Sequence, residues 1–431
     1  MQVLLSLSIA LFVGLMLSRV AKLVKLPAVT AYLVAGILVG PYLLGQVWVP
    51  GAGIHLGFCP KDFEKYKLFS DVALGFIAFA IGNEFRLSSL KKTGKQATII
   101  GIFQAVFTTI VVDAALIGFH FLRPDVLPLP TAIVLGAVAS ATAPAATLMV
   151  VRQYKAKGPV TEILLPIVAL DDAVGLVLFA VSFGVARAML SGAVDVLTVV
   201  LEPILEVVGS LILGALMGFL FHFCERFFHS RSKRMAMSVS FVMLTVALSM
   251  IEFHIGRVHV AFSSLLVCMM MGTIFCNVCD VSEELMDRVE RWSTPLLVLF
   301  FVVSGAELEL SVFTQWTIVL VGIIYIVFRS LGKYFGAGVS SRLTKCDPNI
   351  VKYLGITLLP QAGVALGMAN QVKNAEGFGA AGAMVVNITL FSVLVYELVG
   401  PFLTKVALQK AGEIKPDGKT SARGKKDVIA H

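Results

Sequence analysis

Long runs of apolar residues, separated by short polar segments, dominate the chain. Each run approaches the roughly 20 residues that an α-helix needs to cross the hydrocarbon core of a bilayer. We number thirteen such segments as spans 1 to 13: 2–20, 26–45, 68–86, 97–120, 128–151, 161–187, 196–223, 235–253, 258–278, 293–310, 313–338, 349–371 and 377–404. The first segment lacks the basic start of a signal peptide, so it counts as span 1. The pattern predicts an all-α polytopic membrane protein.

Composition and charge support this class and add an orientation. The chain has 431 residues, of which 58% are hydrophobic and 14% charged. Of its 35 Lys and Arg residues, 26 lie in the C-terminal tail and in the alternate connections that begin after span 1. By the positive-inside rule that side is cytoplasmic, so the N terminus is predicted outside and the C terminus inside. Topology thus accounts for the net charge of +8, and we expect no nucleic-acid partner.

The most informative polar residues are two adjacent carboxylates, Asp171 and Asp172, near the middle of span 6. Ionisable residues inside a membrane are costly and mark functional sites by default. The alternative is that the pair caps a helix at the interface. About ten largely apolar residues on either side of the pair favour the functional interpretation.

Two spans are interrupted by helix-breaking residues, and the two halves of the chain resemble each other. Span 5 contains Ala143-Pro144, and span 12 contains Pro360-Gln361 with a glycine, Gly363, two positions later. The end of span 3, GNEFRLS from Gly82, is echoed at the end of span 10 by GAELELS from Gly305. A shift of seven spans inverts the second copy. We therefore predict two inverted repeats with crossed interrupted helices, an architecture that places an ion or substrate site at the crossing.

Span 11 supplies two positive charges that could compensate the carboxylates. Arg329 and Lys333 are four residues apart and therefore share one helix face. Either could extend to the cytoplasmic surface instead. Which of them pairs with Asp171 stays open, although the deeper position of Arg329 favours it. Glu84 and Glu307 lie at span ends, where capping or interfacial positions are expected.

Buried carboxylates beside a cation suggest a transport chemistry. Burial disfavours the charged form of a carboxylate, whereas a nearby cation favours it. Asp172 could then hold either a proton or a hard monovalent cation, with Thr142 from the broken helix contributing an oxygen ligand. Such competition couples the two fluxes without an enzymatic reaction or a cofactor.

The order of these motifs resembles the monovalent cation/proton antiporter superfamily, and within it the sodium/proton antiporters that carry an Asp-Asp motif. The motifs are Ala-Thr-Ala-Pro ending at Pro144, Asp171-Asp172, Arg-x-x-Gly-Lys from Arg329 to Lys333, and Leu-Pro-x-Ala around Pro360. The sequence departs from many members at Ala143, where they carry Asp.

The resemblance implies a homodimer in the plasma membrane that serves pH homeostasis by electrogenic exchange of Na⁺ or Li⁺ for protons. Asp172 would bind the ion or proton, and Asp171 would pair with the basic residue of span 11. The implied division is a dimerisation domain (1–95 and 235–311), a core domain (96–190 and 312–405), a linker span (191–234) and a basic cytoplasmic tail (406–431). A sodium-coupled organic-solute symporter of similar fold is the alternative.

Overall fold

A computed structural model describes residues 1–24, 26–49, 54–59, 63–83, 85, 87–191, 196–251, 253–255, 258–279, 282–308, 314–375 and 377–414. Glu84, Arg86 and residues 309–311 of the repeated motif, and the tail from 415 onward, lie outside these ranges. Helices dominate the described part: α1 Gln2–Leu23, α2 Ala28–Val39, α3 Phe63–Asn83, α4 Leu87–Leu122, α5 Leu129–Val138, α6 Pro144–Tyr154, α7 Pro159–Ser191, α8 Val196–Glu225, α9 Arg231–Ser249, α10 Ser264–Val278, α11 Ser282–Glu307, α12 Trp316–Leu343, α13 Pro348–Thr357, α14 Gly363–Asn374 and α15 Gly379–Lys410.

Each predicted span contains one helix, except that spans 5 and 12 each contain two half-helices, α5 with α6 and α13 with α14. Seven helical segments in the described ranges are long and apolar enough to cross a membrane. The all-α membrane class is therefore confirmed, whereas the number thirteen stays a prediction.

Several boundaries differ from the predicted ones. Span 9 was expected to begin at 258, but α10 begins at Ser264 because the preceding residues form an antiparallel hairpin, β3 Phe253–Ile255 with β4 Val258–Val260. A second short hairpin pairs β1 Trp48–Val49 with β2 Ile54–His55 after a 3₁₀ turn at Leu44–Gln46. Helix α11 begins eleven residues before the predicted span 10, at Ser282 instead of 293. The first residues of α11 are polar, and span 10 was predicted from apolar residues alone, so the prediction left them out.

The helices contact one another in two groups. The first group comprises α1, α2, α3, α8, α9, α10 and α11, and the second comprises α4 to α7 and α12 to α15. Contacts between the groups run mainly through α7 with α8 and through α15 with α2. The second group contains the predicted core spans, and the first contains the predicted dimerisation spans together with α8, the predicted linker. The division into domains and their roles stay a prediction.

Two reciprocal glycine contacts among the described helices of the first group agree with the inverted repeat. A Cβ at Gly36 of α2 would overlap the backbone of α11, and a Cβ at Gly305 of α11 would overlap that of α2. Gly82 of α3 and Gly272 of α10 stand in the same reciprocal relation. Small residues let membrane helices approach closely. Because span 2 is the repeat partner of span 9 and span 3 that of span 10, the two contacts are copies of one arrangement.

The N-terminal end of α7, the helix that carries the Asp pair, is held by residues that follow α15. The Glu413 carboxylate accepts hydrogen bonds from the backbone N–H groups of Val160 and Thr161 at 2.6 and 2.9 Å, and from the Thr161 hydroxyl at 2.6 Å. The neighbouring Ile414 is buried in the same apolar cluster as Val160. Glu413 thus caps a helix from a distant part of the chain, because the first N–H groups of α7 have no partner within the helix.

We predict that Glu413→Ala destabilises the protein through loss of this cap. Removing a capping side chain typically costs about 0.5–2 kcal/mol. The melting temperature of the purified protein in detergent, followed by differential scanning fluorimetry, should therefore fall. The matched control is Gln409→Ala, an exposed position in the last turn of α15, which should leave the melting temperature within experimental error. Equal melting temperatures for both variants would contradict the capping role.

Candidate functional site

The two interrupted helices meet at their breaks. Helix α5 ends at Val138 and α6 begins at Pro144, while α13 ends at Thr357 and α14 begins at Gly363. The backbone N–H of Ala143 donates to the carbonyl of Pro360 at 2.8 Å, which joins one break to the other. Pro144 occupies a position at the start of α6 where no N–H is needed. Pro360 cannot donate to a continuing helix, so the chain stays open there. Both interruptions lie where the sequence predicted them.

Opening these helices leaves backbone carbonyls without partners, and Arg329 of α12 bonds to three of them. Its guanidinium donates to Ala139 O at 2.9 Å, to Ala141 O at 2.7 Å and to Leu359 O at 2.7 Å. The guanidinium also lies over the ring of Tyr396, 4.4 Å from its centre. The C-terminal ends of helices carry partial negative charge. One fully buried cation therefore compensates the ends of both α5 and α13.

Lys333, one turn further along α12, forms the ion pair with Asp171. Its Nζ lies 2.8 Å from Asp171 Oδ2, and it also donates to Ser140 O at 2.5 Å and to Thr142 Oγ1 at 2.9 Å. The preference for Arg329 as the partner of Asp171 was therefore wrong. The planar fork of Arg329 suits several carbonyls, whereas the compact ammonium of Lys333 suits a single carboxylate. Both side chains are fully buried, so neither extends to the surface.

Asp171 accepts three hydrogen bonds. Besides Lys333, the hydroxyl of Thr142 donates to its Oδ2 at 2.5 Å, and the Gln104 side-chain amide donates to its Oδ1. Thr142 therefore bonds to Asp171, whereas the sequence had suggested that it lies beside Asp172. Sequence reasoning also missed Gln104 of α4. The sequence indicated Gln104 only as an isolated amide side chain in the middle of the apolar span 4.

Asp172, the next residue of α7, has a different environment. Its side chain is only 2% exposed. Within the described ranges, no group donates a hydrogen bond to either of its oxygen atoms. Asp171 is therefore engaged in a hydrogen-bond network. Among the described residues, Asp172 has no such partner, so both of its oxygen atoms can still accept a ligand.

Gln361 connects the second break to its surroundings. Its amide donates to Val138 O at 3.0 Å and to the Tyr325 hydroxyl at 2.9 Å, and its Oε1 accepts from Ser392 at 3.0 Å. These contacts reach α5, α12 and α15, so Gln361 positions the crossing. Tyr325, which is fully buried on the helix that carries Arg329, is a second residue that the sequence did not reveal.

Interrupted helices that cross inside an inverted-repeat bundle, with charged side chains buried at the crossing, define a class of protein, the ion-coupled secondary transporters. A family profile described as "Sodium/hydrogen exchanger, transmembrane" matches residues 7–410. The chain belongs to that family, whose members are transporters and not enzymes.

Individual relatives agree with the family. The chain is 25% identical to the Na(+)/H(+) antiporter NhaS4 of Synechocystis sp. (strain ATCC 27184 / PCC 6803 / Kazusa), over 80% of this chain and 82% of that protein. It is 23% identical to the K(+)/H(+) antiporter subunit KhtU of Bacillus subtilis (strain 168), over 90% and 89% of the two chains. The structure of the sodium proton antiporter MjNhaP1 from Methanocaldococcus jannaschii at pH 8 is similar in fold, with a TM-score of 0.65, 19% identity and coverage of 95% of this chain and 100% of that one. The resemblance to cation/proton antiporters is confirmed.

We predict that Arg329→Lys destabilises the protein although it keeps the charge. A lysine cannot donate to all three carbonyls in the geometry of the guanidinium. Because a hydrogen bond to a charged group contributes about 1.5–3 kcal/mol, the melting temperature in detergent should fall by several degrees. Arg342→Lys, at an exposed position in the last turn of the same helix, is the control and should have little effect. A melting temperature equal to that of this control would refute the bridging role of Arg329.

Proposed function

We propose that the protein exchanges a monovalent cation for protons by alternating access, with Asp172 binding either one in competition. The observation that carries the proposal is the contrast between the two carboxylates. Asp171 is held by Lys333, Thr142 and Gln104, whereas Asp172 is equally buried and has no hydrogen-bond donor among the described residues.

Because Asp172 is buried, a proton and a cation would compete for its carboxylate. An ionised carboxylate without a compensating partner costs several kcal/mol in a protein interior. Asp172 must therefore bind a proton or a cation whenever water is excluded from it. Because each ligand neutralises the same negative charge, binding of one displaces the other, and the two fluxes become coupled.

Asp171 and Lys333 have a supporting role in this scheme. Their ion pair sits on the carbonyl of Ser140, inside the break between α5 and α6. The pair therefore links the shape of the crossing to the charge state of the carboxylates. We expect the positions of Asp171 and Lys333 to respond to what Asp172 binds.

The expected cation is Na⁺ or Li⁺, with K⁺ less favoured. Carboxylate, carbonyl and hydroxyl oxygen atoms are hard ligands that suit such ions. The named activities of the two relatives include Na⁺/H⁺ and K⁺/H⁺ antiport, which supports the class of ion but not one member of it. The cation and the protons are cargo, and no cofactor is required.

The transport motion would involve the two groups of helices. We propose that α4 to α7 and α12 to α15 form the core domain that carries the ion. It would slide against a dimerisation domain formed by α1 to α3 and α9 to α11, with α8 as the linker. The family resemblance further suggests a homodimer in the plasma membrane, with the N terminus outside and the basic tail in the cytoplasm.

Exchange of two protons per cation would make transport electrogenic. The Asp-Asp motif favours this stoichiometry by resemblance. The site also contains more titratable groups than one cation needs, since Asp171, Asp172 and Lys333 are all buried at the same place. A sodium-coupled symporter of organic solutes is not favoured by the family, and the first experiment below distinguishes it.

We predict that purified protein in liposomes moves protons when a cation is added without any organic solute. An interior pH dye should respond to NaCl or LiCl but not to choline chloride, and Asp172→Asn should abolish the response because its amide cannot hold a proton or cation in the same way. Asp125→Asn, an exposed loop carboxylate paired with Arg123, is the matched control and should transport normally. No response of the wild type to Na⁺, Li⁺ or K⁺ would refute antiport. Proton or Na⁺ movement only with an organic solute would identify the symporter.

We further predict that the null point of exchange reveals the stoichiometry. With the membrane potential held at zero by valinomycin and equal K⁺, two-for-one exchange stops when the pH difference is half the logarithmic cation gradient. One-for-one exchange stops when the two gradients are equal. A null point at equality would contradict electrogenic transport while leaving the exchange activity itself intact.

A further inference from the structure

The N-terminal end of α2 is held by a side chain from the other group of helices. Pro27 precedes α2 and has no side-chain oxygen that could accept a hydrogen bond from the first N–H groups of the helix. The Ala28 backbone N–H donates instead to Gln153 Oε1 at 2.9 Å. Gln153 lies in the last turn of α6. A residue of the second group therefore caps a helix of the first group.

The two helix ends that this bond joins belong to the basic side of the chain, which the sequence predicts to be cytoplasmic. Lys22 precedes α2, and Lys155 follows Gln153. Two residues further along α2, the Thr30 hydroxyl donates to the carbonyl of Leu398 in α15 at 3.4 Å. Helix α2 is therefore bonded to two helices of the second group near its predicted cytoplasmic end.

Around these bonds the two groups meet through apolar surfaces. Ala145 and Ala146 of α6 are buried in the same cluster as Val29 and Leu33 of α2. Apolar attraction has no preferred direction, so small side chains can shift past their neighbours and remain buried. A hydrogen bond differs, because a shift of about 1 Å takes the donor and the acceptor out of range. The bond of Gln153 is therefore specific to one relative position of the two groups.

The inverted repeat offers a comparison with a cap that does not depend on the other group. Span 9 is the repeat partner of span 2, and its helix α10 begins after Ser263. The Ser263 hydroxyl accepts a hydrogen bond from the Leu266 backbone N–H at 3.4 Å. Helix α10 is thus capped by its own neighbouring residue and keeps that cap when the groups move. The cap of α2 is lost when α6 moves away.

We propose that the bond between Gln153 and the start of α2 is a latch that favours the state closed on the cytoplasmic side. The proposal rests on the exchange function and the sliding motion proposed above. In such a mechanism the cytoplasmic path to Asp172 opens between the groups, so their cytoplasmic ends must separate. The latch breaks and reforms in each cycle. Gln153 is a positioning residue, which acts through the ratio of the two states.

The test compares the two faces of the membrane. Cation-dependent proton movement is measured in inside-out vesicles, which expose the cytoplasmic face, and in right-side-out vesicles, with vesicles that lack the protein as background. Apparent affinity scales with the population of the state that binds, so the ratio of outer KM to cytoplasmic KM follows the equilibrium between the states. Gln153→Ala should raise that ratio about threefold to tenfold, as expected for the loss of one hydrogen bond.

Two further variants separate the latch from general damage to the fold. Gln96 donates to the carbonyl of Thr344 at 3.0 Å, within the second group, so Gln96→Ala removes a comparable bond and should leave the KM ratio unchanged. Gln153→Glu keeps an oxygen that can accept from Ala28 and should give the wild-type ratio or a lower one, because a carboxylate is favoured at a helix N-terminus. Melting temperatures identify any variant that fails to fold.

A cross-link tests the latch a second time. The double variant Ala28→Cys, Gln153→Cys should form a disulfide with copper phenanthroline and lose most of its exchange in liposomes, and reduction should restore the exchange. The wild type, treated in the same way, controls for the six native cysteines and should keep its activity.

The outcomes distinguish the latch from the function on which it rests. Equal KM ratios for the wild type and Gln153→Ala, or full exchange by the cross-linked protein, would overturn the latch and leave the exchange function standing. Failure of the two cysteines to cross-link would contradict the contact itself. No exchange by the wild type would refute the proposed function, and the latch with it.

Discussion

The crossing depends on one constraint, which is that backbone carbonyls exposed by broken helices inside a membrane must find partners without water. Each unsatisfied group there costs several kcal/mol. Arg329 meets this need for Ala139, Ala141 and Leu359, and Lys333 meets it for Ser140. Two cations four residues apart on α12 therefore hold both breaks open. Without them the interrupted geometry, and the site built on it, would have no electrostatic support.

The same arrangement separates the two carboxylates into different roles. Consecutive residues of an α-helix point about 100° apart, so Asp171 can face Lys333 and Gln104 while Asp172 faces elsewhere. The positive charge of Lys333 is already matched by Asp171. Among the described residues, Asp172 has no hydrogen-bond donor. In the proposed mechanism a proton or a cation neutralises it. The proposed transport site thus consists of a second carboxylate beside an ion pair that is already complete.

Much of the fold could be read from hydropathy and from helix-breaking residues. Ala143-Pro144 and Pro360-Gln361 marked the two breaks because proline removes a backbone donor and is accompanied there by small or polar residues. Proline alone is not sufficient, since Pro166, Pro295 and Pro401 lie inside continuous helices. The start of α11 was misjudged because its first turns are polar, and the hairpin before α10 because short strands were read as part of an apolar run. The pairing of Asp171 was misjudged as well, since depth along a helix does not tell which acceptor a side chain meets.

The sequence alone therefore determined the membrane class, the inverted repeat, the interruptions and the buried Asp pair, because each depends on residue type and spacing along the chain. Tertiary structure alone decided that Lys333 rather than Arg329 pairs with Asp171, that Gln104 and Tyr325 support the crossing, and that Gln153 caps α2 at Ala28. Those partners lie between 36 and 162 positions apart along the chain. Contacts over such distances depend on how whole helices pack, and no local pattern specifies them.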